Sequence, residues 1–161
     1  MSEVANIHVL RGFGGKQPAA ILVNVAGVSI LLDAGGDIED GREVDWVVPE
    51  DLDAILLTHN HFDHIGNVNN LPKSVPIYCS DITAQSLPQE LMIKVIPIRG
   101  TFTIGDVTVT TGASGHAYGG VWFHLDCAGG GFYSGDISLE SLLYHFDPPP
   151  KADFALLHAS Y

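Results

Sequence analysis

Asp53-Ala54-Ile55-Leu56-Leu57-Thr58-His59-Asn60-His61-Phe62-Asp63-His64 is the stretch on which the fold turns. Residues 53–58 form a continuous apolar run, the pattern of a strand buried on both faces, and the run stops where the histidines begin. A strand with no polar face requires helices over at least one side of its sheet. At its end His59, His61, Asp63 and His64 gather three imidazoles and a carboxylate within six positions, at the start of an expected helix. Imidazole with carboxylate suits zinc and its first-row neighbours. A polar loop that happens to be rich in histidine is the bland alternative, and the density of ligand types in a chain whose other histidines are scattered argues against it.

Upstream, β-rich runs at 7–10, 20–25 and 28–33 are divided by Gly12-Phe13-Gly14-Gly15 and by Ala26-Gly27, which predicts a meander. The third run ends Leu31-Leu32-Asp33-Ala34-Gly35-Gly36, an acid followed by glycines, and so delivers a carboxylate to a loop at the sheet edge. Downstream, strands are expected at 91–98, 101–104, 107–111, 121–125, 132–134 and 153–157. Short helices are expected at 65–71, 82–87 and 138–143. Pro148-Pro149-Pro150 is a stiff extended connector, and no repeat of solenoid period is present.

With 161 residues, 46% of them apolar, the chain can bury one core and is too short for two ordinary domains, so one α+β domain over 1–161 is expected. The net charge of −12 with only seven Lys and Arg excludes a long basic groove built from this domain alone. Part of that acidity belongs to carboxylates that a bound divalent cation would offset. Cys79 and Cys127 have no CxxC spacing and read as reduced packing residues. The N-terminus lacks a signal-peptide pattern and no apolar run approaches the ~20 residues of a membrane helix, so a cytoplasmic protein with no membrane contact is expected.

Two further residues carry chemistry. His116 sits in the glycine-flanked Ser114-Gly115-His116, and Asp136 closes Tyr133-Ser134-Gly135-Asp136 at the end of another apolar strand. Each alone reads as a turn or capping residue; beside the first cluster both become candidate metal ligands. His8, His124 and His145 have no clustered partner and read as structural or surface residues. Trp46, Trp122 and Phe123 read as core or site-wall aromatics rather than a platform for stacking bases. No G-x-S-x-G elbow points to a serine nucleophile.

In these motifs the chain resembles the metallo-β-lactamase superfamily. Its signature Thr-His-x-His-x-Asp-His is matched in full at 58–64, and Leu31-Leu32-Asp33-Ala34-Gly35, Gly115-His116 and Ser134-Gly135-Asp136 follow its further motifs in order. The likeness extends over essentially the whole chain. It implies an αββα sandwich and a dinuclear site, with His59, His61 and His116 on the first metal, Asp63 and His64 on the second, and Asp136 bridging. Asp33 would support the histidine turn from behind. Zinc is the implied metal, with Mn2+ or Fe2+ as alternatives. A hydroxide held by the metals would be the nucleophile, and Asp63 would orient it.

Within the superfamily, segments 31–36, 133–136 and 156–161 look most like the ribonuclease J, β-CASP and tRNA 3′-processing nucleases. Those relatives carry a Glu where this chain has His158 in Leu157-His158-Ala159-Ser160-Tyr161. His158 then has three readings: a core or edge histidine, a substitute proton donor, or an extra ligand; as a donor it joins Asp63 as a catalytic candidate. The family also draws one more His for the second metal from beyond this strand, and the β-CASP relatives insert a whole domain near there. The expectation is therefore a domain lacking the last strand and helix portion of the family fold, with a weaker second site. The given chain would be a fragment, a shortened protein, or half of a site completed by another chain. A sheet edge left open favours a homodimer. The function implied is a dinuclear zinc phosphodiesterase or ribonuclease-like hydrolase acting on RNA or a small phosphodiester. The alternatives are hydrolysis of a small thioester or lactone, and a non-catalytic metal-binding subunit that needs a partner.

Overall fold

In the computed structural model, residues 4–13, 17–37 and 46–158 are described. Gly14 and Gly15 of the expected first turn, and Ala159-Ser160-Tyr161 of the last motif, lie outside them. Two sheets face each other. The first holds six strands in the spatial order β1 (Asn6–Arg11), β2 (Ala20–Val25), β3 (Val28–Leu32), β4 (Ala54–Leu56), β5 (Ile77–Cys79) and β6 (Ile93–Val95). Its first three strands are the expected antiparallel meander, and β3 to β6 run parallel. The second sheet follows the order β7 (Gly100–Ile104), β8 (Val107–Ala113), β9 (Val121–Asp126), β10 (Gly131–Asp136) and β11 (Phe154–His158). It is antiparallel except for β11, which lies parallel to β10.

Strand alternation explains the two cores. Ile30, Leu32, Ala54 and Leu56 point between the sheets and meet Val107, Val109, Val121, Phe123, Leu125 and Tyr133. Leu31, Ile55, Leu57, Ile77 and Cys79 point the other way, onto Ile65, Val68, Leu71 and Leu87 of the covering helical segments. Burying each such aliphatic side chain contributes roughly 1.5–3 kcal/mol. A strand such as β4, buried on both faces, therefore has no place for a polar residue until its end. Cys79 and Cys127 are buried free thiols, as expected.

The helices are shorter than the sequence suggests. The expected 65–71 helix is α1 (Phe62–Ile65) followed by a 3-10 turn at Val68–Asn70, and the 82–87 helix is α2 (Asp81–Ala84), where the Ser80 hydroxyl accepts the Thr83 N–H at 3.3 Å. The expectation of a helix at 138–143 is corrected: these residues form bends and turns. Leu139, Leu142 and Leu143 are exposed, so a helix here would bury no apolar face, and the Ser141 hydroxyl accepts the N–H groups of Leu143 and Tyr144 in a local turn. The outer face of the second sheet is covered instead by the extended segment 144–151. There the Trp122 indole N–H donates to the Asp147 carbonyl at 2.8 Å, and the His124 Nε2 lies 3.0 Å from the Lys151 carbonyl. Among the described residues the layers thus run helix, sheet, sheet and extended cover, an α+β sandwich that matches the first three layers of the αββα order.

Candidate metal centre

The site forms where the C-terminal ends of β3, β4, β10 and β11 come together at one edge of the sandwich. Backbone bonds clasp the histidine turn to the loop after β3: Ala34 N–H to the His64 carbonyl at 2.8 Å, Gly36 N–H to Phe62 at 3.0 Å, and Asn67 N–H to Ala34 at 2.9 Å. A Cβ on Gly35 would sit 1.9 Å from the Asp63 carbonyl oxygen, so only glycine allows this approach. The second sheet is tied in by Val121 N–H, which donates to the Thr58 carbonyl at 2.9 Å.

Asp33, fully buried and held at a φ of 55°, is the hub behind the imidazoles. Its Oδ1 accepts the Thr58 N–H at 2.8 Å, and its Oδ2 accepts the Thr58 hydroxyl at 2.8 Å, the Tyr133 hydroxyl at 2.7 Å and the His64 Nδ1–H at 2.7 Å. These bonds decide tautomers. Because the single Thr58 hydroxyl proton goes to a carboxylate, its oxygen must accept from His59 Nδ1, 3.0 Å away. With Nδ1 protonated in both rings, the Nε2 lone pairs of His59 and His64 are aimed into the site.

Those lone pairs meet other donor atoms. His59 Nε2 is 3.0 Å from His61 Nδ1, which is 3.2 Å from His116 Nε2. Asp136 Oδ2 stands 3.4 Å from His116 Nε2 and 3.9 Å from His59 Nε2. Four ligand atoms of these residues lie within 4.8 Å of one another. A tetrahedral zinc with bonds of 2.0–2.1 Å would set its donors about 3.3 Å apart, so the spacing fits. A second group, His64, Asp136 and His158, also lies within 4.8 Å, but around the other carboxylate oxygen. Asp136 Oδ1 is 3.3 Å from His64 Nε2 and 2.5 Å from His158 Nδ1. His64 Nε2 is buried with no well-directed hydrogen bond, the orphaned atom that a cation would satisfy.

Electrostatics agree with a cation site. Burial alone would lower the His64 pKa, but the Asp33 and Asp136 carboxylates outweigh it and hold the metal-free ring up to about 10, so a proton occupies the Nε2 position that a cation would take, and binding would release it. Burial, with His64 next, pushes His59 down to about 2 and keeps it in the neutral form that binds metals. His116 is likewise lowered by burial. Burial opposes the Asp136 charge, yet His158 and His64 together hold its carboxyl well below the usual range.

Of the candidate site residues singled out in the sequence, all but Asp63 fall in one of the two donor groups. His59, His61, His116 and Asp136 form the first group, and His64 and Asp136 belong to the second. Asp63 is buried with Oδ2 3.8 Å from His64 Nε2, outside both groups of mutually close donors. His158 takes a place in the second group. Tyr133 and Thr58 are the functional residues that sequence reasoning passed over. A tyrosine in an apolar strand reads as core, and nothing local to it reveals that its hydroxyl meets an acid 100 positions upstream.

A sandwich with this fold and these donors defines a metallo-hydrolase architecture. The family described as the Beta-lactamase superfamily domain matches residues 29–139, and the chain belongs to it. It is 26% identical to the transcription termination factor FttA of Cenarchaeum symbiosum, across 99% of this chain and 32% of that protein. Identity to the ribonuclease Z of Methanopyrus kandleri is 32%, across 41% of this chain and 26% of that one. The chain therefore spans about a third or less of the length of these curated relatives. The crystal structure of the metallo-beta-lactamase fold protein YhfI from Bacillus subtilis superposes with a TM-score of 0.65 at 21% identity, covering 82% of this chain and 62% of that one. No described helix is long and apolar enough to cross a membrane.

Proposed function

We propose that the chain is a phosphodiesterase with a dinuclear zinc centre. The observation that carries this reading is the division of one carboxylate between two imidazole groups, Asp136 Oδ2 facing His59 and His116 and Oδ1 facing His64 and His158. His59, His61 and His116 would hold the first cation, His64 and Asp63 would serve the second, and Asp136 would bridge. Two cations held by these residues would suit in-line displacement at phosphorus, because they would lower the pKa of water to about 7 and polarise the phosphoryl oxygen. The nitrogen-rich donor set favours zinc over magnesium or calcium, with Mn2+ and Fe2+ as the nearest alternatives.

The chain's own residues have distinct tasks in this reading. The Asp33 carboxylate and the Thr58 hydroxyl hold the His64 and His59 rings with Nε2 turned inward. Asp63, on the turn between those rings, orients the attacking water and accepts its proton. His61 is exposed and His116 half-buried, so a substrate can reach the first cation from solvent. Similarity to a ribonuclease Z supports phosphodiester chemistry. The charge of −12 favours a small phosphodiester over a long RNA at this domain, and it equally suits a small thioester or lactone, the second reading.

Assays of zinc-loaded protein on bis-p-nitrophenyl phosphate and on a thioester separate the two. The proposal expects turnover of the phosphodiester, with Asp63→Ala lowering kcat at least 100-fold. Metal-free protein with undiminished activity would overturn it, and loss-free Asp63→Ala would place proton handling elsewhere.

A further inference from the structure

We infer that His158 is a ligand of the second cation through Nδ1, so that β11 itself supplies a nitrogen donor to this site. The inference rests on the metal-centre reading above and names one of its residues. Three observations carry it. First, His158 Nδ1 and His64 Nε2 approach the same atom, Asp136 Oδ1, at 2.5 and 3.3 Å, and these donors fall within one 4.8 Å group. Second, the His64 nitrogen is buried and lacks a well-directed partner, so the second group contains an unmet donor position beside His158. Third, the backbone is built to deliver the ring. Tyr133 pairs with Leu156 and Asp136 with His158, so three steps along β10 match two along β11, with the shift falling between Tyr133 and Asp136.

That shift decides direction. Strand alternation would put Gly135 on the same face as Tyr133 and turn Asp136 away. The extra residue, with Gly135 at a φ of 50°, returns Asp136 to the inner face. On β11, Leu156 and His158 are two positions apart and share the inner face, where Leu156 packs against the core. The His158 N–H then donates to the Ser134 hydroxyl at 3.0 Å, which fixes the strand end and therefore the ring's origin. A histidine serving only as an edge-strand residue has no need of this convergence. Ligation would replace the hydrogen bond between His158 Nδ1 and Asp136 with a bond to the cation, the displaced proton passing to solvent.

The test is metal binding by the whole 161-residue chain, with zinc as the probe and competition against a chromophoric chelator as the readout. Cobalt substitution provides the ligand-field spectrum. Wild type is expected to bind two equivalents. His158→Ala is expected to keep the first equivalent unchanged and to weaken the second at least 10-fold, with loss of the cobalt absorption assigned to that step. His116→Ala should instead weaken the first. His158→Gln, which retains a polar side chain of similar length, serves as the second variant, and circular dichroism melting checks that each is folded. Should His158→Ala and His158→Gln both bind two equivalents as tightly as wild type, His158 is not a ligand. A loss of turnover or an altered pH profile with metal content intact would make it a proton donor and likewise overturn the inference. Wild type and both histidine variants binding no zinc would sink the metal-centre reading itself.

Discussion

Asp33 concentrates at one buried carboxylate four hydrogen bonds, two from Thr58 and one each from His64 and Tyr133, and orients the His59 ring at one remove through the Thr58 hydroxyl. Asp33→Asn would present an amide N–H₂ toward donors at one of its two oxygens, so it is expected to lower zinc affinity about 10–100-fold, read by chelator competition. Tyr133→Phe removes one bond to the same carboxylate and leaves both imidazoles oriented. It should cost about 1–2 kcal/mol in urea unfolding while changing metal affinity less than Asp33→Asn does. The candidate ligands were legible in the sequence because six of them lie in short motifs, whereas Tyr133 was not, because its contact is with a residue distant in the chain.

At the level of elements, the β10 irregularity and the 144–151 cover are the devices that the hydrophobic pattern does not announce. Gly135 has a positive φ, and a Cβ there would stand 2.6–2.7 Å from the Thr58 side chain. Gly135→Ala is expected to destabilise the fold by about 1–3 kcal/mol and to disturb both cation sites, as a lowered urea midpoint and reduced zinc stoichiometry would show. The cover is pinned by Asp147, whose Oδ2 accepts the Ala113 N–H at 2.8 Å and pairs with Arg99 at 2.7 Å. Slight burial opposes its charge, but the Ala113 N–H and the Arg99 guanidinium outweigh this and lower its pKa below 3.8. A depressed carboxyl pKa stabilises the fold above 3.8, and that stabilisation disappears as pH falls through the folded value. Asp147→Asn should therefore cost about 1 kcal/mol at pH 7, and the cost should shrink as pH falls below 3.8 through the folded value, measured as the difference in unfolding free energy between variant and wild type. The missing helix at 138–143 belongs to this scale too: Leu139, Leu142 and Leu143 stand exposed, so a helix there would bury no apolar face.

Across the whole molecule, Asp33, Asp63 and Asp136 converge in a chain that already carries a charge of −12, so a bound cation should stabilise the fold as well as its chemistry. At a free zinc concentration 100 times Kd, each site adds about 2.7 kcal/mol. Exhaustive chelation is expected to lower Tm by several degrees, and added zinc to restore it, in a thermal melt followed by circular dichroism. An unchanged Tm would mean that the folded chain does not bind zinc in preference to the unfolded one. By itself the sequence determined the α+β class, the fully buried strand running into the histidine turn, and six of the candidate site residues, because apolar periodicity and short ligand motifs are local properties of a chain. Only the tertiary structure decided that Asp136 turns one oxygen to each group, that Tyr133 buttresses Asp33, and that His158 joins His64. Those facts depend on strand register and on a single inserted residue in β10, and register is set by the packing of two sheets rather than by any one segment.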